Sequence, residues 1–163
     1  MRTLAVAALL SCHAARPPAA DAGDRLGARL VVRDAQGGIV GETATVTTVE
    51  PDGTFRIASL VNGKRLAPDR TGRLAPEALR TLATELAEPL PPLLESGRAA
   101  ANPHRIEITY GESSSALVLP PGYDPERAEP ALPATGATAR CIRIWSTARR
   151  LVAAACEPRV GVP

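Results

Sequence analysis

The chain has 163 residues, of which 19 are basic and 17 acidic, and its formal net charge at pH 7 is +2. This near-neutral charge argues against a nucleic-acid-binding protein, because such proteins attract phosphates with a strongly basic surface. Only 2% of the residues are aromatic, so we expect an aliphatic core. The length is typical of a single domain.

The N-terminus carries an apolar run over residues 3–10, which follows the single basic residue Arg2 and precedes Cys12. The run is too short to cross a bilayer, which takes about 20 apolar residues. It fits the apolar core of a signal peptide. We therefore expect a signal peptide over residues 1–11 and a Pro- and Ala-rich tether over residues 12–26.

The residues around Cys12 resemble the lipobox of bacterial lipoprotein precursors. Leu9 and Ser11 fit that pattern, and Cys12 is its lipid acceptor. The resemblance implies cleavage before Cys12, a diacylglycerol on its thiol, and an exported protein anchored to a membrane of the cell envelope. Two alternatives stay open. One is an ordinary signal peptide cleaved after Ala15 or Ala20, which gives a soluble secreted or periplasmic protein, and the other is a cytosolic protein.

Three strands are predicted after the tether. Residues 29–33 form a short apolar run, and a glycine turn over 36–38 separates it from a Val- and Thr-rich strand over 39–49. After a Pro-Asp-Gly turn, a third strand covers 54–61 and ends at Asn62-Gly63, a strong hairpin signal. The side chains expected together on one face of the second strand are Ala44, Val46 and Thr48.

A helix is predicted from Pro76 to about Ala87. Leu79, Leu82 and Leu86 follow the spacing i, i+3, i+7 that gives a helix one apolar face. Proline suits the first helical position, because the missing N–H has no partner there in any case.

The last third of the chain is predicted to contain two strands and a helix. The strands cover 105–110 and 115–119, and an irregular Pro-rich segment follows over 123–136. An amphipathic helix is then expected over about 138–155. The competing interpretation is a short strand over 140–145 followed by a shorter helix.

Cys141 and Cys156 are the two cysteines outside the signal region, and they form a candidate disulfide. An oxidising envelope would allow them to pair. In one continuous helix they would lie about 22 Å apart, whereas a disulfide tolerates about 7 Å between Cα atoms. A break near Ser146 would be needed to bring them together.

Residues that could carry chemistry are few. His104 follows the loop residue Pro103, and we expect it to be a solvated loop histidine. The run Ser113–Ser115 reads as a turn, and acidic side chains such as Glu42 are scattered. No metal-ligand spacing and no cofactor motif is present, so the sequence predicts a non-enzymatic protein without metal or cofactor.

The order of the predicted elements over residues 28–121 resembles emfourin-type domains, which are small bacterial proteins. Some members of that family inhibit thermolysin-like metalloproteases. The resemblance implies binding to a protein partner, such as a protease, and assigns no inhibitory contact residue here. The residues that carry it are Leu30–Val32, Gly37–Gly38, Pro51–Gly53, Leu74–Leu86 and Ile106–Tyr110.

We thus expect a single α+β domain over residues 27–163, with its core over 28–121. Its predicted architecture is an antiparallel sheet of about five strands, with one central helix packed on it and an amphipathic helix at the C-terminus. The expected function is that of a non-enzymatic, exported, lipid-anchored envelope protein that binds a protein partner, with protease inhibition as one form. The alternative is a structural envelope lipoprotein without a discrete partner.

Overall fold

The structure, a computed structural model, describes residues 24–39, 41–92, 103–119 and 136–157. The predicted signal peptide, Cys12, most of the tether and nearly all of the Pro-rich segment lie outside these residues. The described part is α+β, with seven strands and two helices. Its elements are β1 (Leu30–Gly38), β2 (Gly41–Val49), β3 (Thr54–Val61), β4 (Lys64–Arg65), β5 (Arg70–Arg73), α1 (Pro76–Glu85), β6 (His104–Tyr110), β7 (Ser113–Leu119) and α2 (Gly136–Cys156).

All strands belong to one antiparallel sheet in the order β4-β3-β2-β1-β6-β7, and β5 also pairs with β3. The α+β class and the antiparallel sheet are confirmed. The prediction of about five strands is too low, because β4 and β5 went unrecognised. Both are short and consist of exposed or half-exposed polar residues and glycine, so no apolar alternation marks them in the sequence.

The hairpin between β1 and β2 is longer than predicted. The expected turn at residues 36–38 is strand, since Gly37 pairs with Glu42 and Gly38 with Gly41. Gly41 has a φ of 104°, a conformation that L side chains rarely adopt. A methyl group there would also overlap the side chain of Asn62, so the glycine that the hairpin requires is the one after the turn.

The turn between β2 and β3 is held by its own side chains. The backbone N–H and the hydroxyl of Thr54 both donate to the Asp52 carboxylate at 3.0 Å. These hydrogen bonds, chiefly the one from the Thr54 backbone, hold the pKa of Asp52 below its usual value. Gly53 has a φ of 86° and lies against Leu79 of α1.

Helix α1 begins at Pro76 as predicted and ends at Glu85, just short of the expected end. Arg140 of α2 lies at this end, where its guanidinium donates to the carbonyl oxygen of Glu85, the last helical residue, and to those of Glu88 and Pro89 in the segment that follows. A charged donor at this end also suits the negative pole of the helix dipole. Arg140 therefore fastens the two helices to each other.

Helix α2 is continuous, so the strand-then-helix alternative does not occur. Cys141 and Cys156 lie on this one helix about 22 Å apart, both as free thiols. The geometry excludes the candidate disulfide within one chain. The thiol of Cys141 is instead buried against Ser115 of β7, with 3.3 Å between Sγ and Oγ.

Both helices pack on the same face of the sheet and close an aliphatic core around Phe55 and Trp145. None of the described helices is long and apolar enough to cross a membrane. The helix residues buried in this core are Leu79, Leu82, Leu86, Cys141, Ile144, Trp145, Ala148 and Val152.

Candidate functional site

Helix α2 runs across the strands and leaves an open groove beside it. One of its ends packs on β7 through Cys141, and the other lies near β5, where Cys156 and Arg70 line the groove together. The groove has a volume of about 590 Å³, which falls within the range of ligand sites in proteins. The residues of α2 that form its wall are Trp145, Ala148, Arg149, Val152, Ala153 and Cys156.

The floor of the groove is the half of the sheet that the helices leave uncovered. Asp34 and Gln36 of β1 line it beside Thr45 and Thr47 of β2, and Asp34 pairs directly with Thr45 in the strand register. The floor is therefore polar, whereas the wall offers small apolar side chains.

The face of β2 that lies on the helix side is not the one that the sequence suggested. Ala44 and Thr48 are buried as expected, but they lie on the face away from the helices. Thr45 and Thr47 alternate with them and face the helix side, where they form groove floor instead of a solvated surface. The alternation of the sequence showed which side chains share a face of β2, but it does not show on which face the helices pack.

Asp34 is the centre of a polar network at one end of the groove. Its Oδ1 lies 2.8 Å from Nε2 of His104, and its Oδ2 accepts a hydrogen bond of 3.1 Å from the indole N–H of Trp145. The two rings meet edge to face, with centroids 5.5 Å apart. These contacts fix the orientation of the carboxylate through three elements, β1, β6 and α2. The Asp34 side chain remains 29% exposed, and it lines the groove.

The prediction that His104 is a solvated loop residue is wrong. His104 is the first residue of β6 and only 5% exposed. Register explains the difference: Gln36 pairs with His104, because β1 continues past the expected turn and draws β6 out by one residue. A histidine after Pro103 gives no local sign of such a pairing.

The geometry of His104 limits what it can do chemically. A carboxylate only accepts hydrogen bonds, so Nε2 carries the proton that faces Asp34. The other ring nitrogen, Nδ1, is buried without a hydrogen-bond partner. Since Nε2 is engaged and Nδ1 is inaccessible, the imidazole presents no nitrogen to a molecule in the groove. The Asp34–His104 pair therefore orients the carboxylate and is not a base aimed at a substrate.

The charges of the groove differ from those of the surrounding surface. Nine of the twelve described carboxylates lie within 4.0 Å of an arginine side chain. In the described part of the chain, Asp34, Glu112 and Glu157 have no such partner, and two of these three line the groove. Glu42, which looked isolated in the sequence, pairs with Arg33.

Basic side chains lie further along the groove. Arg149 follows Trp145 by about one turn of α2, and Arg70 belongs to β5 beyond β3. At a strand spacing of about 4.8 Å, Arg70 and Asp34 are roughly 14 Å apart across the sheet. Within residues 24–39, 41–92, 103–119 and 136–157, no group of three or more His, Cys, Asp or Glu side chains could hold a metal ion.

Comparison of the sequence with protein-family models and with curated proteins gives no match. A functional proposal therefore has to be argued from the groove and its charges. Sequence reasoning missed both Asp34 and Trp145 as members of a site, although one signal was present. Asp34 continues the alternation of the buried residues Leu30 and Val32. A carboxylate on a buried face needs hydrogen-bond donors from other elements.

Proposed function

We propose that this protein is an exported envelope protein that binds an extended segment of a partner protein in the groove between α2 and the sheet. The observation that carries the proposal is the groove itself, an open site with a polar floor and an oriented carboxylate that no arginine or lysine of the described residues pairs with.

The dimensions of the groove suit an extended peptide. From Trp145 to Cys156 the wall follows α2 for 11 residues, or about 16 Å at 1.5 Å per residue. A strand rises about 3.3 Å per residue, so roughly five residues of extended chain would fill this length. The threonines of the floor can donate to and accept from the backbone of such a segment.

We further propose that a lipid on Cys12 anchors the protein to the envelope, as the lipobox resemblance implies. The mass of the intact protein from its native membrane fraction tests this. A chain that starts at Cys12 and carries acyl groups is expected. An unmodified chain that starts after Ala15 or Ala20 would contradict the anchor and favour a soluble secreted form, without affecting the groove.

Protease inhibition is the specific form of partner binding that the emfourin resemblance favours. An inhibitor of this kind would block the substrate cleft of a thermolysin-like protease and supply no chemistry of its own. Titration of the purified protein against such proteases is the test. Stoichiometric inhibition is expected, and its absence at micromolar concentration would remove this form of the proposal while leaving other partners.

Two neighbouring positions on α2 provide a matched test of the groove. Ala153 and Ala154 are both exposed on the same helix, but only Ala153 lines the groove. Ala153→Arg should fill the groove, and Ala154→Arg makes the same change in helix propensity and charge outside it. In capture experiments from an envelope extract, we expect a stoichiometric partner with the wild type and Ala154→Arg, and its loss with Ala153→Arg.

The outcome also decides between the proposal and a purely structural envelope role. A partner retained equally by all three proteins would place binding elsewhere on the surface. If no stoichiometric partner is captured by the wild type, the structural alternative gains and the groove has no demonstrated role.

A further inference from the structure

We propose that the groove recognises a basic side chain, lysine or arginine, of the bound segment through the carboxylate of Asp34. This inference rests on the proposed function, because it names the chemistry of the segment that the groove would hold. It adds the position at which the charge is read and the sign of that charge.

The first argument is the unmet bonding capacity of Asp34. Each carboxylate oxygen can accept about two hydrogen bonds, and the two partners of Asp34 supply one each, from His104 and Trp145. The remaining acceptor sites belong to a carboxylate that is 29% exposed in the groove. A guanidinium or ammonium group would form charge-assisted hydrogen bonds with them, which are stronger than neutral ones.

The second argument is the contrast with the other carboxylates. This chain contains 19 basic residues, and nine of the twelve described carboxylates are paired with an arginine. Asp34 instead receives two hydrogen bonds from ring N–H groups, which orient it, and no arginine or lysine of the described residues pairs with it. The negative charge of Asp34 therefore remains for a ligand.

The third argument is the arrangement of the remaining charges. Arg70 and Arg149 lie further along the groove, and Asp34 faces uncharged neighbours such as Gln36 and Thr45. A basic side chain of an extended segment can therefore reach Asp34 at the Trp145 end without passing a like charge there. An acidic side chain at that end would meet the like charge of Asp34 instead.

Thr45 allows the proposal to be tested without disturbing the network. It is exposed, it lies directly opposite Asp34 on the neighbouring strand, and its side chain has no role in the contacts of Asp34. Directly opposed side chains lie about 5 Å apart at Cβ. Thr45→Lys would place a competing ammonium beside Asp34, Thr45→Glu would add a second negative charge, and Thr45→Gln is the uncharged control of similar size.

Trp145 supplies the readout. It is the single tryptophan of the chain, and its indole N–H donates to Asp34. The single indole resonance in a ¹H–¹⁵N spectrum of the labelled full chain therefore comes from a group in direct contact with this carboxylate. The probes are three pentapeptides with acetylated and amidated ends, Ala-Ala-Arg-Ala-Ala, Ala-Ala-Gln-Ala-Ala and Ala-Ala-Glu-Ala-Ala.

We expect the arginine peptide to shift the indole resonance and to bind about tenfold more tightly than the glutamine peptide, and the glutamate peptide to bind least. Relative to the uncharged Thr45→Gln variant, Thr45→Lys should weaken binding of the arginine peptide about tenfold and Thr45→Glu should strengthen it.

Three results would overturn the inference, and they separate it from the proposed function. If the three peptides bind equally and Ala153→Arg abolishes all binding, the groove binds peptides without reading charge. If Thr45→Lys and Thr45→Glu behave like Thr45→Gln, the charge is read elsewhere. If no peptide binds while a captured partner is still lost with Ala153→Arg, the groove functions without this recognition of a basic side chain.

Discussion

Replacing Asp34 with alanine should destabilise the protein clearly more than replacing the neighbouring groove residue Gln36. Two buried donors depend on this carboxylate. His104 is 5% exposed and Trp145 is 2% exposed, so water cannot fully replace the lost acceptor. A buried donor without a partner costs about 1–3 kcal/mol, and two of them give a range of about 2–6 kcal/mol.

The lower half of that range is the expected result. Asp34 is 29% exposed, so water that enters from the groove would recover part of the loss. We therefore predict that Asp34→Ala lowers the free energy of unfolding by about 2–4 kcal/mol, which changes the unfolding equilibrium constant about 30-fold to 1000-fold. Against a total stability of about 5–15 kcal/mol, this is a large change.

Trp145→Phe should lower the free energy of unfolding less than Asp34→Ala does, if the loss in Asp34→Ala comes from the two unpaired donors. It removes one donor and keeps most of the ring packing, and it leaves Oδ2 of Asp34 where water can reach it, so we expect about 1 kcal/mol from the lost hydrogen bond. The double variant should then lose less than the sum of the two single changes, because they share this bond.

The assay is urea unfolding followed by far-ultraviolet circular dichroism, which does not depend on the tryptophan signal. Gln36→Ala is the control, since Gln36 lies on the same face of β1, also lines the groove and should change stability by less than about 0.5 kcal/mol. If Asp34→Ala unfolds at the same urea concentration as Gln36→Ala, the two ring donors do not need the carboxylate and the account of the network is wrong.

Three further predictions concern the frame around the site. Arg140→Ala should lower the free energy of unfolding by about 1–3 kcal/mol, because it removes the charged donor from one carbonyl oxygen at the end of α1 and from two in the segment after it; an unchanged urea midpoint would contradict this. Gly63→Ala should lower the free energy of unfolding by about 1 kcal/mol. An added methyl group would meet no neighbouring atom there, so only the backbone strain at a φ of 73° contributes. Gly53→Ala should cost clearly more, because a methyl group there would also come within 2.6 Å of a leucine side chain; equal thermal midpoints would refute the packing argument. Asp52 has a lowered pKa in the folded protein, so its stabilising contribution is present above the ordinary value of 3.8 and is lost as the pH falls through the lower folded value. The free energies of unfolding of the wild type and Asp52→Asn, measured against pH, should therefore converge below pH 3.8. A difference that stays constant with pH would show that the charge of Asp52 does not contribute to stability.

The sequence predicted the parts of the fold that follow from local patterns. The apolar spacing of Leu79, Leu82 and Leu86 gave α1, and the alternation of Ile106 and Ile108 gave β6. The α2 stripe favoured one continuous helix, which the structure has. Each of these patterns records burial of one face, and burial is what organises such elements.

The groove could not be predicted in this way. It depends on where α2 crosses the sheet, and that crossing is decided by the packing of Trp145 and Val152, not by any local signal. The network needs Asp34 and Trp145, 111 positions apart in the chain, to meet at one point. Its third member, His104, was misread because strand register is non-local, so its pairing with Gln36 leaves no trace in the residues around it.

The central claim is that a partner contacts the groove, and site-specific photo-crosslinking tests it most directly. A small aliphatic residue with a photoreactive diazirine group, which leaves most of the groove open, replaces Ala153 in one variant and Ala154 in another, and both proteins are irradiated in the native envelope. We predict a defined crosslinked product from position 153 and none from position 154. Equal products from the two positions, or a product from position 154 alone, would contradict the claim that the groove is the binding surface.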